Sequence, residues 1–530
     1  MTTFRAAPTG AASVAQAAGQ QVTVGSGPLM AAEVIAVARD GAGVRVAEEA
    51  LAAVRRGRQI IDDLAEDAQP HYGVSTGFGA LATRHIPVDM RTQLQASLIR
   101  SHAAGSGPRV ETEVVRALML LRLATLATGR TGVREIIVST YAALLNSRLT
   151  PVVPEYGSLG CSGDLAPLAH CALVLTGEGV VTDATGAERQ AADALAEAGI
   201  TPVQLREKEG LALINGTDGM LGMLVLAIAD FRGLLRIADV TAAMSVEGLL
   251  GSDAPFAADL QELRPHPGQA AAAANMRALL SGSAIMASHR GPECTRVQDA
   301  YSLRCAPQVD GAARDTADHA ALVASRELAS AIDNPVITPD GRLESNGNFH
   351  GAPLGYVLDF LAIAAADVAS MAERRTDRYL DVGRNQGLTP FLADDPGVDS
   401  GYMIAQYTQA AIVSELKRLA APASVDSIPS SAMQEDHVSM GWSAARKLRR
   451  SLDGLRRVLA IELLTAARGI ELRTPLTPAP ATAAVLAGLR AVAGGPGPDR
   501  FLAPEIEAAV QFIADGSALR AAEAVTGPLS

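Results

Sequence analysis

The stretch "GSLGCSGDLAPLAH", residues 157–170, sets Cys161, Ser162 and Gly163 on a turn between glycines and the start of an apolar helix. Three chemistries compete for it. As a packing turn it needs nothing more, since Asp164 favours a helix N-terminus and Pro167 fits an early helical turn. As a nucleophile elbow, Gly-x-Ser-x-Gly, it needs glycines two before and two after the serine; Gly160 fits, but Asp164 stands at the second place and no strand precedes. The third is ring closure, in which the Gly163 amide nitrogen bonds to the Cys161 carbonyl carbon. Two waters leave, one carrying the Ser162 hydroxyl, and an exocyclic methylidene remains. Serine supplies a leaving β-hydroxyl, and glycine removes the Cβ that would obstruct so tight a loop. Residue types permit this step without selecting it.

Other loops gather the scarce polar and aromatic side chains: "HYGVSTGFGAL", "SHAAGSG", "LINGTDG", "VQDAYSLRCAPQ", "SNGNFHGAP" and "MQEDHVSM". Loops held by a rigid scaffold carry function disproportionately. Two of the eight tyrosines, Tyr72 and Tyr301, fall inside them, and Arg304 follows Tyr301 by three, on the same side of a helical turn. Each residue has an ordinary alternative: a packed tyrosine, a salt-bridged arginine, a core phenylalanine, a surface glutamate opening a helix. "NGT" at Asn215 is by itself only a turn that also fits a glycosylation sequon. His319, His350 and His437 are scattered, and the nine histidines and four cysteines show no ligand spacing, so no required metal is expected. Only three lysines occur, none in a glycine-rich phosphate loop, which disfavours pyridoxal chemistry.

The elements that must hold these loops are helices. In 530 residues aromatics make up only 3%, and the long apolar-periodic runs, such as "GMLGMLVLAIADFRGLLRIADVTAAM" and "PLGYVLDFLAIAAADVASMAERR", are rich in alanine and leucine. Alanine lets helix axes approach closely, as in a bundle. The net charge of −12 argues against nucleic acid or an anionic membrane as partner. Four cysteines without a Cys-x-x-Cys pair make no disulfide framework, no signal peptide opens the chain, and charges interrupt the longest apolar stretch. A soluble protein of a reducing compartment is expected, cytoplasmic in location. Residues 1–20 read as a flexible tail, 21–200 as an N-terminal region with the Tyr72 and Cys161 loops, 201–470 as a central long-helix bundle and 471–530 as a C-terminal helical region. "QVTV" reads as a short strand, with Ser26 and Pro28 opening the helix after it.

"GSLGCSGDL" resembles the Ala-Ser-Gly-Asp-Leu signature of the aromatic amino acid ammonia-lyase and aminomutase family. "YGVSTGFG", "SHAAG", "LALINGT", "VQDAYSLRC", "NGNFHG" and "QEDHVSM" are similar to that family's loops, in its order, from residue 72 to about 440. "YSLRCAPQV" and "QEDHVSM" look most like histidine-specific, actinobacterial members. Cys161 replaces the commoner alanine; its side chain projects from the finished ring and is expected to take no part, so that Cys161→Ala is tolerated.

The resemblance implies a mainly α fold, one long central bundle of the fumarase/aspartase-like lyase superfamily, with a smaller N-terminal region of helices and loops carrying the catalytic tyrosine. It implies methylidene-imidazolone (MIO), formed from Cys161-Ser162-Gly163, with no external cofactor. The implied activity is loss of ammonia from L-histidine to give trans-urocanate. Tyr72 is implied as the base; a free tyrosine has a pKa of about 10, so it must be tuned or act transiently. Tyr301 is implied near the MIO, Arg304 as a clamp on the substrate carboxylate, and Asn215, Gln298 and Gln434 as polar contacts to substrate or MIO. Phe349 would pack on the MIO or the substrate ring. His102 and Glu435 occupy the selectivity positions, with Glu435 holding the imidazole. A homotetramer with active sites shared between subunits is implied as well. An MIO aminomutase, a tyrosine ammonia-lyase and a catalytically silent helical scaffold are the alternatives.

Overall fold

The alanine- and leucine-rich runs fold as helices, the longest being Asp218–Gly248, Ala306–Leu328, Ala352–Leu380 and Gly441–Glu471 at 31, 23, 29 and 31 residues. The computed structural model describes residues 21–530 apart from 68, 78, 82, 292, 293, 295 and 296; the expected tail, 1–20, lies outside the described residues. Strands are short and confined to small sheets. The chain is mainly α, as its composition implies.

The described residues group into two units, each discontinuous in sequence. The first takes the chain up to Leu226, with Ala321–Leu358 and Pro422–Arg446; the second takes Ala227–Ala320, Asp359–Ala421 and Lys447–Ser530.

In the first unit the expected strand Gln21–Val24 pairs in parallel with Gly43–Val46, and helix Ala31–Ala38 makes the crossover. That helix begins later than Ser26 and Pro28 suggest. Met30 is its N-cap, and Glu33 reaches back to the Met30 N–H at 2.8 Å, so the cap is supplied from inside the helix. Ser26 instead turns back onto the Thr23 carbonyl at 3.4 Å. A chain leaving a strand must reverse before it can wind, and those residues make the reversal. Helix Thr112–Ala127 is buried almost throughout. Its Arg122 has no exposed side-chain surface; it pairs with Asp218 at 2.6 Å and donates to the carbonyls of Ala212, Asn215 and Ile332. Beside it Lys208 and Asp333 form a second buried pair at 2.5 Å. Buried charges persist only where paired and hydrogen-bonded, and these pairs fix the segment that carries Asn215.

In the second unit the four long helices meet directly. Arg375 pairs with Glu462, which also accepts from Ser245 Oγ at 2.8 Å, and Arg314 pairs with Asp239. Tyr379 is fully buried, its hydroxyl donating to the Met244 carbonyl at 3.2 Å, and its ring lies where a Cβ on Gly248 or Gly469 would be. Glycine at both positions is what admits the ring between backbones. Arg375 also donates to the Ser302 carbonyl at 3.2 Å, anchoring the short helix Tyr301–Arg304 to this core.

Gly469→Ala is expected to destabilise the protein by about 1–3 kcal/mol, the usual cost of overpacking a filled core. Thermal denaturation beside the unaltered chain checks this; an unchanged melting temperature would mean that Tyr379 yields freely.

Candidate active site

The loop 157–164 is bent by positive φ at Gly160 (+69°), Ser162 (+48°) and Gly163 (+79°). Serine rarely adopts that region, so its surroundings must hold it there. They do so from two sides. Gly163 lies flat against Gly216, where a Cβ would overlap the Gly216 carbonyl, and the Asp164 N–H donates to that carbonyl at 2.7 Å. On the other side the Gly160 carbonyl accepts from Ser439 Oγ at 2.6 Å and from the Gly351 N–H at 3.0 Å, while the Met440 N–H donates to Leu159 at 2.8 Å. Three separated loops, "LINGTDG", "SNGNFHGAP" and "MQEDHVSM", are thus hung on the Cys-Ser-Gly turn.

Asp164 works differently from the sequence reading. It is the N-cap residue of helix Leu165–Leu175, yet its side chain makes no cap bond there. Its carboxylate accepts from the N–H groups of Gly219 and Met220, both at 2.9 Å, in the first turn of helix Asp218–Gly248, and from Ser158 Oγ at 2.8 Å. Complete burial nevertheless pushes its pKa up to about 7.

Glu435 lies over the turn. Its Oε1 accepts from Ser162 Oγ at 3.0 Å; its Oε2 accepts from Cys161 Sγ at 3.2 Å and Ser430 Oγ at 3.0 Å. Ser430 and Glu435 also exchange backbone hydrogen bonds at 2.9 and 3.3 Å across Ser431, Ala432 and Met433, all at positive φ. Burial, and then the negative charge of Glu435, push the Cys161 thiol up to about 12, so it remains a protonated donor. The thiol therefore has a partner that the sequence reading did not give it.

His102 ends helix Arg91–His102, and its Nδ1 lies 2.9 Å from the Leu98 carbonyl. A carbonyl can only accept, so Nδ1 carries the proton and Nε2 of the neutral ring is left as an acceptor. Burial lowers its pKa, with the Leu98 carbonyl and the Glu435 charge pulling the other way. His170 is also lowered by burial, and its Nε2 accepts from the Gly105 N–H at 3.1 Å. Asn215 is 3% exposed; its Nδ2 donates to the Asn334 carbonyl at 2.8 Å, while its Oδ1 is buried with no partner among the described residues. The hydroxyl of Tyr72 accepts from the Gly79 N–H at 3.2 Å, and Gly79 itself abuts Ser431.

The first unit therefore gathers Cys161, Ser162, Gly163, Glu435, His102 and Asn215, with the Tyr72 loop against the Glu435 loop. Phe349 is half-buried and Gln434 exposed on the same loops. His350, beside Phe349, stacks on His437 with ring centroids 5.6 Å apart. Gln298, Tyr301 and Arg304 form their own group in the second unit. Gln298 is exposed, Tyr301 is 70% exposed, and the Arg304 guanidinium lies 4.7 Å from the Tyr301 ring centroid with its Nε unpartnered among the described residues. No cluster of His, Cys, Asp and Glu able to hold a metal occurs among the described residues. Ser430 and the cross-cap by Asp164 were missed in the sequence, and no local spacing announces either.

An aromatic amino acid lyase family model matches residues 29–491. A histidine ammonia-lyase of Streptomyces avermitilis is 66% identical over 96% of this chain and 99% of its own length. Among solved structures, a tyrosine aminomutase from Streptomyces globisporus superposes with a TM-score of 0.91 at 39% identity, covering 96% of this chain and 100% of its own. A histidine ammonia-lyase from Trypanosoma cruzi gives 0.87 at 36% identity, with 96% of each chain covered.

Because both histidines are held neutral, the unfolded chain takes up protons below about pH 6.5 that the folded chain does not. Their contribution to stability is complete above that pH and is lost as pH falls towards the depressed folded values. His170→Gln keeps an acceptor for the Gly105 N–H without titrating. Its melting temperature should fall less steeply than that of the unaltered chain between about pH 7.5 and about pH 5.5. Buried acids such as Asp164 act in the opposite sense but equally in both proteins, so parallel melting curves would refute the assignment.

Proposed function

The chain belongs to the aromatic amino acid lyase family, and on that premise we propose that it is a carbon–nitrogen lyase that removes ammonia from L-histidine, leaving trans-urocanate. The observation that carries the choice of substrate is Glu435, a carboxylate set over the Cys161–Ser162 turn and within the field of His102. An imidazole calls for an acidic partner, whereas a phenyl ring would call for an apolar wall. The name of the Streptomyces avermitilis relative agrees.

The residues present fit an MIO group at Cys161-Ser162-Gly163. Gly163 occupies a cradle that a Cβ would fill, Ser162 is already at positive φ, and the orphaned Asn215 Oδ1 lies one residue from the Gly216 that braces the turn. When formed, that group supplies an electrophilic carbon that captures the substrate amine and makes it a better leaving group. The rest falls to side chains. Tyr72 takes the β-proton on its phenolate oxygen, which the Gly79 N–H orients by donating to it. Glu435 holds the imidazole through a charge-assisted hydrogen bond, and the neutral His102 offers its Nε2 lone pair beside it. Arg304 clamps the substrate carboxylate with its planar fork, and Tyr301, Gln298, Asn215 and Gln434 supply polar contacts. Phe349 packs against the ring.

The reading includes a homotetramer, in the cytoplasm, whose sites are completed by neighbouring subunits. Two features support it. Tyr301 and Gln298 are exposed on this chain although their proposed work is at a closed site. Tyr356, Phe360 and Ile363, at helical spacing on Ala352–Leu380, are 62%, 47% and 44% exposed, an apolar stripe that a neighbouring copy would cover. The aminomutase reading has the structural likeness to the tyrosine enzyme in its favour, and product analysis for β-amino acid against ammonia separates the two.

Ser162→Ala should fold, lack the two-water mass deficit in denaturing mass spectrometry and have no more than trace activity, because no hydroxyl is left to eliminate. Retained turnover would refute MIO chemistry here. Glu435→Gln should lower histidine turnover by at least roughly a hundredfold, the low end for a removed acid–base group. Near-normal turnover of histidine, or an unaltered enzyme that prefers tyrosine, would refute the substrate assignment.

A further inference from the structure

The two oxygens of Glu435 are held unequally. Oε2 has two donors, Cys161 Sγ at 3.2 Å and Ser430 Oγ at 3.0 Å; Oε1 has one, Ser162 Oγ at 3.0 Å. The Ser162 hydroxyl is the group that leaves as water when the ring forms, while Cys161 gives up only its backbone carbonyl oxygen and Ser430 nothing. We propose that the Cys161 thiol is a positioning residue that, with Ser430, pins Glu435 by Oε2, so that self-processing at Ser162 frees Oε1 alone to meet the substrate imidazole.

Three features support this division. A carboxylate on a glutamate side chain has three rotatable bonds and scatters unless at least one oxygen is fixed; donors on both sides of a single oxygen fix it and leave the other available. The thiol is buried and stays protonated beside the negative charge, so it remains a donor throughout. The Ser430–Glu435 backbone pair closes a tight loop of left-handed residues, which keeps Ser430 opposite Cys161 rather than letting the loop slide. Before processing, the Ser162 hydroxyl holds the place at Oε1. Its departure removes that donor without disturbing the two on Oε2, so one chemical event both makes the electrophile and opens the acceptor.

The inference rests on the proposed role of Glu435, and the variants separate the two. Cys161→Ala, Cys161→Ser, Ser430→Ala and Glu435→Gln are purified as full-length chains. Each is weighed intact for the loss of two waters, melted, and assayed on L-histidine for kcat and KM separately. Cys161→Ala should process fully and melt normally, yet lose roughly tenfold in kcat, the worth of one hydrogen bond to a charged group. KM should change by no more than about twofold, because the carboxylate remains but is no longer held in line. Cys161→Ser, a hydroxyl that can donate from the same place, should restore kcat to within about threefold, well inside the value of the lost bond, and Ser430→Ala should resemble Cys161→Ala. A fully processed Cys161→Ala with unaltered kcat, or a serine variant no better than alanine, overturns the proposal. So does a Cys161→Ala chain that keeps its unprocessed mass, because the thiol would then act in ring closure. Near-normal turnover by Glu435→Gln defeats the role of Glu435 itself, whereas collapse of that variant beside an unaffected Cys161→Ala defeats only the pin.

Discussion

Everything at the site hangs on one buried carboxylate. Asp164 stands at the start of helix Leu165–Leu175 and accepts from the first-turn N–H groups of helix Asp218–Gly248, so a single negative group lies at the N-termini of two helices. Taking a carboxylate out of water costs on the order of several kcal/mol, and only dense hydrogen bonding with favourable helix dipoles offsets it. Both are present, as two backbone N–H groups, the Ser158 hydroxyl and the first turns of two helices, and they act against a burial that still pushes the pKa up to about 7. The Asp164 N–H meanwhile donates to Gly216. The residue after the reactive turn is therefore tied by side chain and backbone to the segment that carries Asn215, and the turn cannot relax independently of it.

That constraint makes the strained serine tenable. A non-glycine residue in the left-handed region costs on the order of 1–3 kcal/mol and persists only where its surroundings over-determine it. Behind the turn, Arg122 holds Asp218 and the Ala212 and Asn215 carbonyls, and Lys208–Asp333 lies alongside. In front, Ser439 and Gly351 take the Gly160 carbonyl. The reactive tripeptide is thus gripped between a buried ionic layer and two loops. The proposed ring closure needs this: the Gly163 nitrogen and the Cys161 carbonyl carbon must be pressed together before any bond forms, and a mobile turn would spend its time elsewhere.

What the sequence made legible was chemistry and fold class, for different reasons. Residue types alone left ordinary alternatives open at Cys161-Ser162-Gly163, Tyr72 and Glu435, and it was the resemblance of their loops to the family's that singled them out, whereas long apolar periodicity has few outcomes besides packed helices. Contacts between distant residues were hidden. Asp164 looked like the cap of its own helix, because local spacing cannot reveal that a helix more than fifty residues away supplies better donors. Cys161 looked idle because its partner Glu435 lies 274 residues on. Ser430 gave no signal, being one serine among many. Ser26 and Pro28 misled for the opposite reason: their local preferences were real, but the reversal after strand Gln21–Val24 claimed them first.

A scaffold that superposes on enzymes of differing substrate and outcome cannot itself choose between them. The choice must be made where backbone is shared but side chains differ, at the tips of loops hung on the common turn. In this chain Glu435 stands on one such loop, and its charge reaches His102 at the end of helix Arg91–His102. Burial holds His102 towards the neutral form against the pull of the Leu98 carbonyl and the Glu435 charge, and the Leu98 carbonyl fixes its proton on Nδ1, so it presents an acceptor rather than a charge. Glu435 is held by three donors from two loops, so its negative charge is fixed in place rather than swept by a mobile side chain. On the proposed reading an imidazole N–H answers one of these acceptors, whereas a hydrocarbon ring answers neither, at a cost in affinity that apolar contact elsewhere would have to exceed. On that reading, selectivity depends on how firmly Glu435 is held, which returns to the turn that Asp164 anchors.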